Sequence, residues 1–239
     1  MNTMNANRNI DALILGICLF AGLVIGGYLL SSGIVKLKSM DRSVSAKGLS
    51  ERDVPADLAI WPIKFDVAAD DLGTLVSAIE QKNKVVYDFL ISRGFDAKDI
   101  SISAPVIIDR QAQEYGDASR FSYRYAGSST LSVYTTNVAL VRTSTRKLVE
   151  LGKMGVSVAG DNQAEFLYTG LNRIKPAMIE EATNNARVVA EKFANDSKSR
   201  LGKIRSASQG QFSIEPRDSN TPHIKKVRVV STLEYYLVD

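Results

Sequence analysis

Cysteine and histidine are nearly missing from this 239-residue chain, where Cys18 and His223 are the sole examples. Cys18 sits inside an apolar run, so the rest of the chain can form neither an internal disulfide nor a thiolate metal site. That cysteine count suits an exported domain and a cytosolic one equally. With one histidine, Ser-His-Asp is the familiar triad left, and it would have to run through His223; no Gly-x-Ser-x-Gly elbow is present. HExxH, CxxC, P-loop and GxGxxG patterns are absent outside the apolar run. Strong charge is lacking too. A net charge of +4 and a pI near 9.1 make a mild bias, short of the concentrated Lys/Arg face of a nucleic-acid binder. No cofactor, no metal and no nucleic-acid partner is expected.

What is present is ordinary globular composition, 45% hydrophobic and 23% charged, with one long apolar stretch. After a short tail over 1–11, Ala12 to Val35 carries no charged residue. As a helix it is about 36 Å long, enough to cross a hydrocarbon core of about 30 Å with some tilt. A cleaved leader is the rival reading. Its apolar region is normally shorter and ends at once in small residues, whereas here Ser31-Ser32-Gly33 is followed by more apolar chain and Val44-Ser45-Ala46 lies far downstream. A retained single-pass anchor, with the lipid bilayer as partner, is therefore expected. Lys36 and Lys38 fill a basic linker over 36–41, and with Arg42 and Lys47 they outnumber the cations before the run; the positive-inside count alone places the large domain in the cytoplasm. The same cations suit anionic headgroups of either leaflet. Cys18, Gly22 and Gly26 put small residues on one helix face, an arrangement that lets two membrane helices approach closely and that is also common in membrane helices without a partner.

Residues 42–239 alternate between strand and helix signals. Val44–Leu49 and Leu58–Val67 read as strands, with a polar turn between them, and Trp61-Pro62 marks an edge or a bulge in the second. Asp70 or Asp71 caps a helix with apolar positions Leu72, Leu75, Val76, Ile79, Val86, Phe89 and Leu90, stopped at Gly94. A strand over Ile100–Arg110 and a polar hairpin tip over Gln111–Ser119 lead to a long strand, Arg120–Thr136, bent at Gly127. Asn137 opens a second helix running to about Met154, Ala164–Thr169 is a strand, and Lys175-Pro176 opens a third helix with a buried stripe of Ile179, Ala182, Ala186, Val189 and Phe193. Leu201-Gly202 ends it, and Ile204–Ile214 and Lys225–Val238 close the chain as a strand pair. The order β-β-α-β-β-α-β-α-β-β gives an α+β fold, antiparallel sheets with helices on one face, with room for a second subdomain over roughly 137–202.

Val44-Ser45-Ala46-Lys47-Gly48, Glu51, and Pro55 through Ile60 resemble the opening of the SIMPL family. So do the run Gly155 through Asp161, the alanine-spaced helix Ala182 to Ala194, and Leu201-Gly202-Lys203-Ile204. The resemblance spans roughly Arg42 to Asp239. It implies a bacterial envelope or periplasmic protein linked to stress tolerance, with no accepted enzymatic activity or cofactor, of a kind that in some members assembles into large rings with a central opening. Combined with a retained anchor, it implies an inner-membrane protein whose large domain faces the periplasm, against the charge count. Many members of the family carry a cleavable signal instead.

Few residues invite a chemical role. His223 flanks a basic strand, where a lone histidine is commonly a surface residue. Asp70-Asp71 and Glu180-Glu181 are adjacent on helices and diverge by about 100°, a poor geometry for an acid/base dyad. Phe121, Tyr123 and Tyr125 alternate on one strand face, with Arg120 and Arg124 on the other; this is either a half-buried sheet face or the core of a subunit interface. The expected function is a membrane-anchored, non-enzymatic homo-oligomer, ring- or channel-like. The alternative is a stress-related module that recruits a partner protein or ligand without self-assembly.

Overall fold

The computed structural model describes residues 16–17, 19–29, 31, 42–112, 122–160 and 162–238. Residues 16–17, 19–29 and 31 are helical, and their large apolar side chains are exposed. Among the described residues no helix is long and apolar enough to cross a membrane; positions 12–15, 18, 30 and 32–35 of the expected anchor lie outside them.

From Ser43 the described residues form fourteen elements, counting one 3-10 turn. They are β1 (Ser43–Pro55), β2 (Leu58–Ala69), α1 (Leu72–Ser92), a 3-10 turn (Ala97–Asp99), β3 (Ile100–Ile102), β4 (Val106–Asp109) and β5 (Tyr125–Thr135). There follow α2 (Val138–Thr145), α3 (Val149–Lys153), β6 (Glu165–Leu167), α4 (Leu171–Asp196), β7 (Arg200–Gln209), β8 (Ser213–Pro216) and β9 (Ile224–Val238). The result is a mixed α+β fold with two sheets. One runs β1-β9-β7 with β8 also on β9; the other runs β3-β5-β2-β6 with β4 also on β5, and the registered pairs given for both are antiparallel. By contacts the chain divides into a unit of Met1–Ser50, Ala177–Gln211 and Val229–Asp239 and a unit of Glu51–Pro176 and Phe212–Arg228.

In the first unit, α4 lies on the strands through a row of small residues. Ala182, Ala186, Ala190 and Ala194 recur every four positions and are buried, and Ala186 and Ala190 join Ala46, Leu233 and Tyr235 in one cluster. Small side chains on both surfaces permit a close approach. At Gly48 the approach is closest: a Cβ there would stand 1.9 Å from the Ala182 carbonyl oxygen and 2.3 Å from the Ala186 nitrogen. Glycine is required at this point by space, since its φ is outside the left-handed region. Asn185 donates to the Leu49 carbonyl at 2.8 Å, and Ser50 donates to Glu181 at 2.9 Å, which fixes the same seam laterally.

In the second unit, alternate residues of β2 (Trp61, Ile63, Phe65) and β5 (Leu131, Val133) bury on one face. Val86, Phe89 and Leu90 of α1, Val141 of α2 and Leu151 of α3 cover them. Asp71 caps α1, its carboxylate accepting from Thr74 N–H at 2.8 Å, and the helix ends against Gly94 at φ +95°. Asn137 caps α2 by accepting from Leu140 N–H at 3.0 Å. Gly127 lies in regular register opposite Val67, with no register shift where the strand was expected to bend. A Cβ there would stand 2.7 Å from Ile79 Cδ1, so this glycine makes room for α1.

Pro62 is at an edge position without a bulge. It pairs in register with Ser132, while Lys64, on the same side of the strand's hydrogen-bonding alternation, turns its N–H and C=O away from β5. The nitrogen of Pro62 therefore faces the same way, where no ladder bond to β5 is lost. That edge is closed by a loop instead of a strand. Ala159 N–H donates to the Lys64 carbonyl at 2.9 Å, Lys64 N–H donates to Asn162 Oδ1 at 2.6 Å, and the Asn162 amide donates to the Ala159 carbonyl. Trp61 Nε1 donates to the Asn162 carbonyl at 3.2 Å. The run from Gly155 thus seals the open side of β2.

Several expectations need correction. The polar stretch expected as a turn before β2 is mostly strand, because each of Glu51 to Pro55 continues β1 and the crossing takes only Ala56-Asp57. The expected strand Ile100–Arg110 is broken at Ser103-Ala104-Pro105, and the expected strand from Arg120 begins only at Tyr125. The helix expected over 137–154 is split by a turn into α2 and α3. Pro176 lies inside α4, which starts five residues earlier. Its buried stripe is Met178 and the alanines, while Val189 and Phe193 are exposed, because the close seam admits only small side chains on its axis. Leu201-Gly202 belongs to β7; the helix ends at Asp196, before Lys198 at φ +56°. The strand expected over Ile204–Ile214 is two strands, β7 and β8.

Candidate functional site

The aromatic end of β5 separates into two environments. Tyr125 packs against Ala69, Leu75 and Ile79 on the helix-covered face of the sheet. The Arg124 guanidinium lies 4.8 Å over its ring and pairs with Asp109 of β4 at 2.9 Å. That hydrogen bond holds the Asp109 carboxyl below its ordinary range and raises Arg124. Tyr123 is in irregular chain ahead of β5 and is exposed, so the period-two alternation does not carry back to it. It borders an open hollow of 560 Å³ with Val106, Ile108, Arg110, Lys64 and Lys82. Arg120 and Phe121, the other two members of the expected interface, lie outside the described residues, as does 113–119 of the expected hairpin tip.

Beside this hollow, β3 and β4 follow one another along β5 and form the outer edge of their sheet. Among the described residues β5 is the single strand neighbour of each. Ile102, Val106, Ile107 and Ile108 are all exposed, Val106 at 59%. Among the described residues this edge, with apolar side chains on both faces, carries no lysine and no strand cover; its protections are Pro105 at the start of β4 and the shortness of the two strands. The signal in the sequence was the unbroken Val-Ile-Ile run after Pro105, which periodicity alone assigns to strand without saying whether it is central or peripheral.

A second hollow, 860 Å³ and open to solvent, is lined by Leu148, Asn162, Phe166, Pro216, Asp218 and Asn220 among others. The Phe166 ring stands edge-on to His223, with centroids 6.1 Å apart. Burial, then the charges of Arg142 and Arg217, lowers the His223 pKa, opposed by Asp218. No hydroxyl or carboxylate hydrogen-bonds the His223 ring among the described residues; its backbone carbonyl accepts from Ala56 N–H at 2.8 Å and so fixes the crossing between β1 and β2. Asp218 is committed to its own loop. Thr221 and Arg217 hydrogen-bond its carboxylate and hold its pKa at about 2. Asp71 and Glu181, from the two carboxylate pairs, serve the α1 cap and the Ser50 contact described above.

Lys225 is a residue that sequence reading placed in a strand without assigning it a face. In β9 it alternates inward with Val227 and Val229, is 7% exposed, and burial lowers its pKa against the opposing pull of Glu165. The period-two pattern of the following apolar residues carried this signal. In the N-terminal helical stretch, Gly22 and Gly26 face open space, with nothing within 4 Å of an added Cβ, and Cys18 lies outside the described residues.

Against families of known proteins, residues 44–231 match the SIMPL family, described as "Protein of unknown function (DUF541)". A comparison with curated proteins finds no match.

Proposed function

Because the chain belongs to the SIMPL family, we propose that it is an envelope protein held in the inner membrane by its N-terminal apolar run, with the folded body in the periplasm, acting through self-assembly and without catalysis. The product is a homo-oligomer, ring- or channel-like, serving envelope or oxidative stress tolerance. The observation that carries this reading is the open edge of β3 and β4, where Ile102, Val106, Ile107 and Ile108 are exposed. Such an edge is a template for strand pairing. A second copy is the occupant that is always present, and a shared membrane raises its effective concentration enough for weak contacts to close a ring. Ala12 to Val35, free of charge, supports the anchor.

Light scattering coupled to gel filtration of the detergent-extracted full chain tests the assembly. The expected result is a defined oligomer that Ile107→Lys converts to monomer while far-ultraviolet circular dichroism is unchanged. A clean wild-type monomer at micromolar concentration overturns the reading. The alternative, a module that recruits a partner protein or ligand, rests on the 860 Å³ hollow beside Phe166. Self-crosslinks favour assembly; a 1:1 crosslink to another protein, without self-crosslinks, favours recruitment.

A further inference from the structure

One end of the first unit gathers four chain segments. Leu237 N–H donates to the Arg42 carbonyl at 2.8 Å, and the Arg42 guanidinium donates to Ser199 Oγ at 3.2 Å. Arg200 pairs with Val238 across the ladder of β7 and β9. Ser197 and Ser199 N–H groups close the end of α4 onto the Phe193 and Ala194 carbonyls. The cations Arg42, Lys198 and Arg200 therefore belong to this end, with Lys203 about 10 Å further along β7, opposed by Asp196 and by the sequence neighbour Asp239. Apolar side chains accompany them: Phe193 is 55% exposed and Val238 47%. The opposite end of β7, Ser206 to Gln209, carries no charge at all.

Cations beside exposed aromatic and aliphatic side chains match the surface of an anionic bilayer, where phosphates pair with the charges and the apolar groups enter the headgroup region. Chain length brings the two together. Residues 32–41 separate the helical residue 31 from Arg42, and ten residues span at most about 35 Å when fully extended. Of the first unit, the Arg42 end is tethered nearest the bilayer. Resting on the anchored reading given above, we propose that the Arg42, Lys198 and Arg200 end of this unit docks on anionic lipid headgroups of the membrane that holds the chain.

The test uses the full chain in vesicles. Cys18→Ala gives a cysteine-free background, into which Ser197→Cys places a fluorophore at the docking end and Ser208→Cys one at the far end of β7, about 25 Å away along the strand. Quenching by a headgroup-level quencher lipid is compared in phosphatidylcholine vesicles and in phosphatidylcholine–phosphatidylglycerol vesicles. The expected result is strong quenching at position 197 and weak quenching at 208 in the anionic vesicles. High salt should lower the signal at 197, and Lys198→Glu with Lys203→Glu should lower the docked fraction at least about fivefold. Equal quenching at both positions, or no difference between the two lipid compositions, overturns the docking; flotation of the protein with the vesicles then shows that the anchor stands. Protein that stays behind when the vesicles float overturns the anchor and the docking with it.

Discussion

Replacing Gly48 by alanine is the sharpest test of how the first unit is held together. The added methyl would lie 1.9 Å from the Ala182 carbonyl oxygen, 2.3 Å from the Ala186 nitrogen and 2.9 Å from the Ala186 Cα. Comfortable carbon contacts begin at about 3.5 Å, and every obstacle here is helix backbone that no rotamer change can move. The helix must retreat by more than about 1 Å, opening its alanine seam along Ala182, Ala186 and Ala190, and such a gap forfeits a quarter to a half of each dispersion contact. Overpacking usually costs about 1–3 kcal/mol, and a backbone obstacle puts this substitution at or above about 3 kcal/mol. For a domain of this size that corresponds to a melting temperature lowered by roughly 6–12 °C. Scanning calorimetry of the detergent-extracted full chain measures it. Gly152→Ala is the control, because it meets nothing within 4 Å and sits in α3, where alanine is favoured over glycine by about 0.5–1 kcal/mol. A Gly48→Ala protein that melts with the wild type would refute the close seam between β1 and α4.

Gly127→Ala meets the tip of a flexible side chain, Ile79 Cδ1, at 2.7 Å. It should destabilise by about 1–2 kcal/mol in denaturant titration, and Ile79→Val, which removes that atom, should restore part of the loss. Asn162→Ala leaves the Lys64 N–H without its acceptor. A loss of about 1–3 kcal/mol is expected, followed by fluorescence of Trp61, the sole tryptophan and fully buried. Asp218 has a folded pKa of about 2, below its ordinary value, so the contribution of its loop is complete above about pH 4 and is lost as pH falls through about 2. Asp218→Asn should remove that acid dependence in pH-dependent melting. His223, also lowered, contributes fully above about pH 6.5, and its contribution is lost as pH falls through the folded pKa. As the single histidine it gives one nuclear magnetic resonance titration, expected below the ordinary value; a midpoint at or above that value would contradict its burial against Phe166.

Legibility varied with the kind of signal. The cap at Asp70 or Asp71, which the structure gives to Asp71, the stop at Gly94 and the cap at Asn137 were readable because each is a local relation between a side chain or a φ angle and the next turn. The apolar period of α1 was readable at Leu75, Ile79, Val86, Phe89 and Leu90, but Leu72 and Val76 satisfy the same period and are exposed, since the stripe is wider than the surface that covers it. The alanine row of α4 was readable as a close-packing face. Its flanking Val189 and Phe193 misled, because hydrophobicity predicts inclusion while a seam this narrow selects for size. Of the expected interface, Tyr123 and Tyr125 proved to have different neighbours, a distinction set by where β5 begins.

The sequence by itself determined the α+β class, the existence and type of most elements, and that no disulfide can form within the chain, because capping, periodicity and composition act over a few residues at a time. Tertiary structure alone decided which strands lie at an edge, which face of a helix is covered, why Gly48 has no room for a side chain, and why one at Gly127 must displace its neighbour. Those properties depend on what arrives from elsewhere in the chain: Ala182 against Gly48, Ile79 against Gly127, Asn162 against the open side of Lys64. Such partners are distant in sequence and leave no local pattern, so space and unmet hydrogen bonds become visible only once the backbone has brought them together.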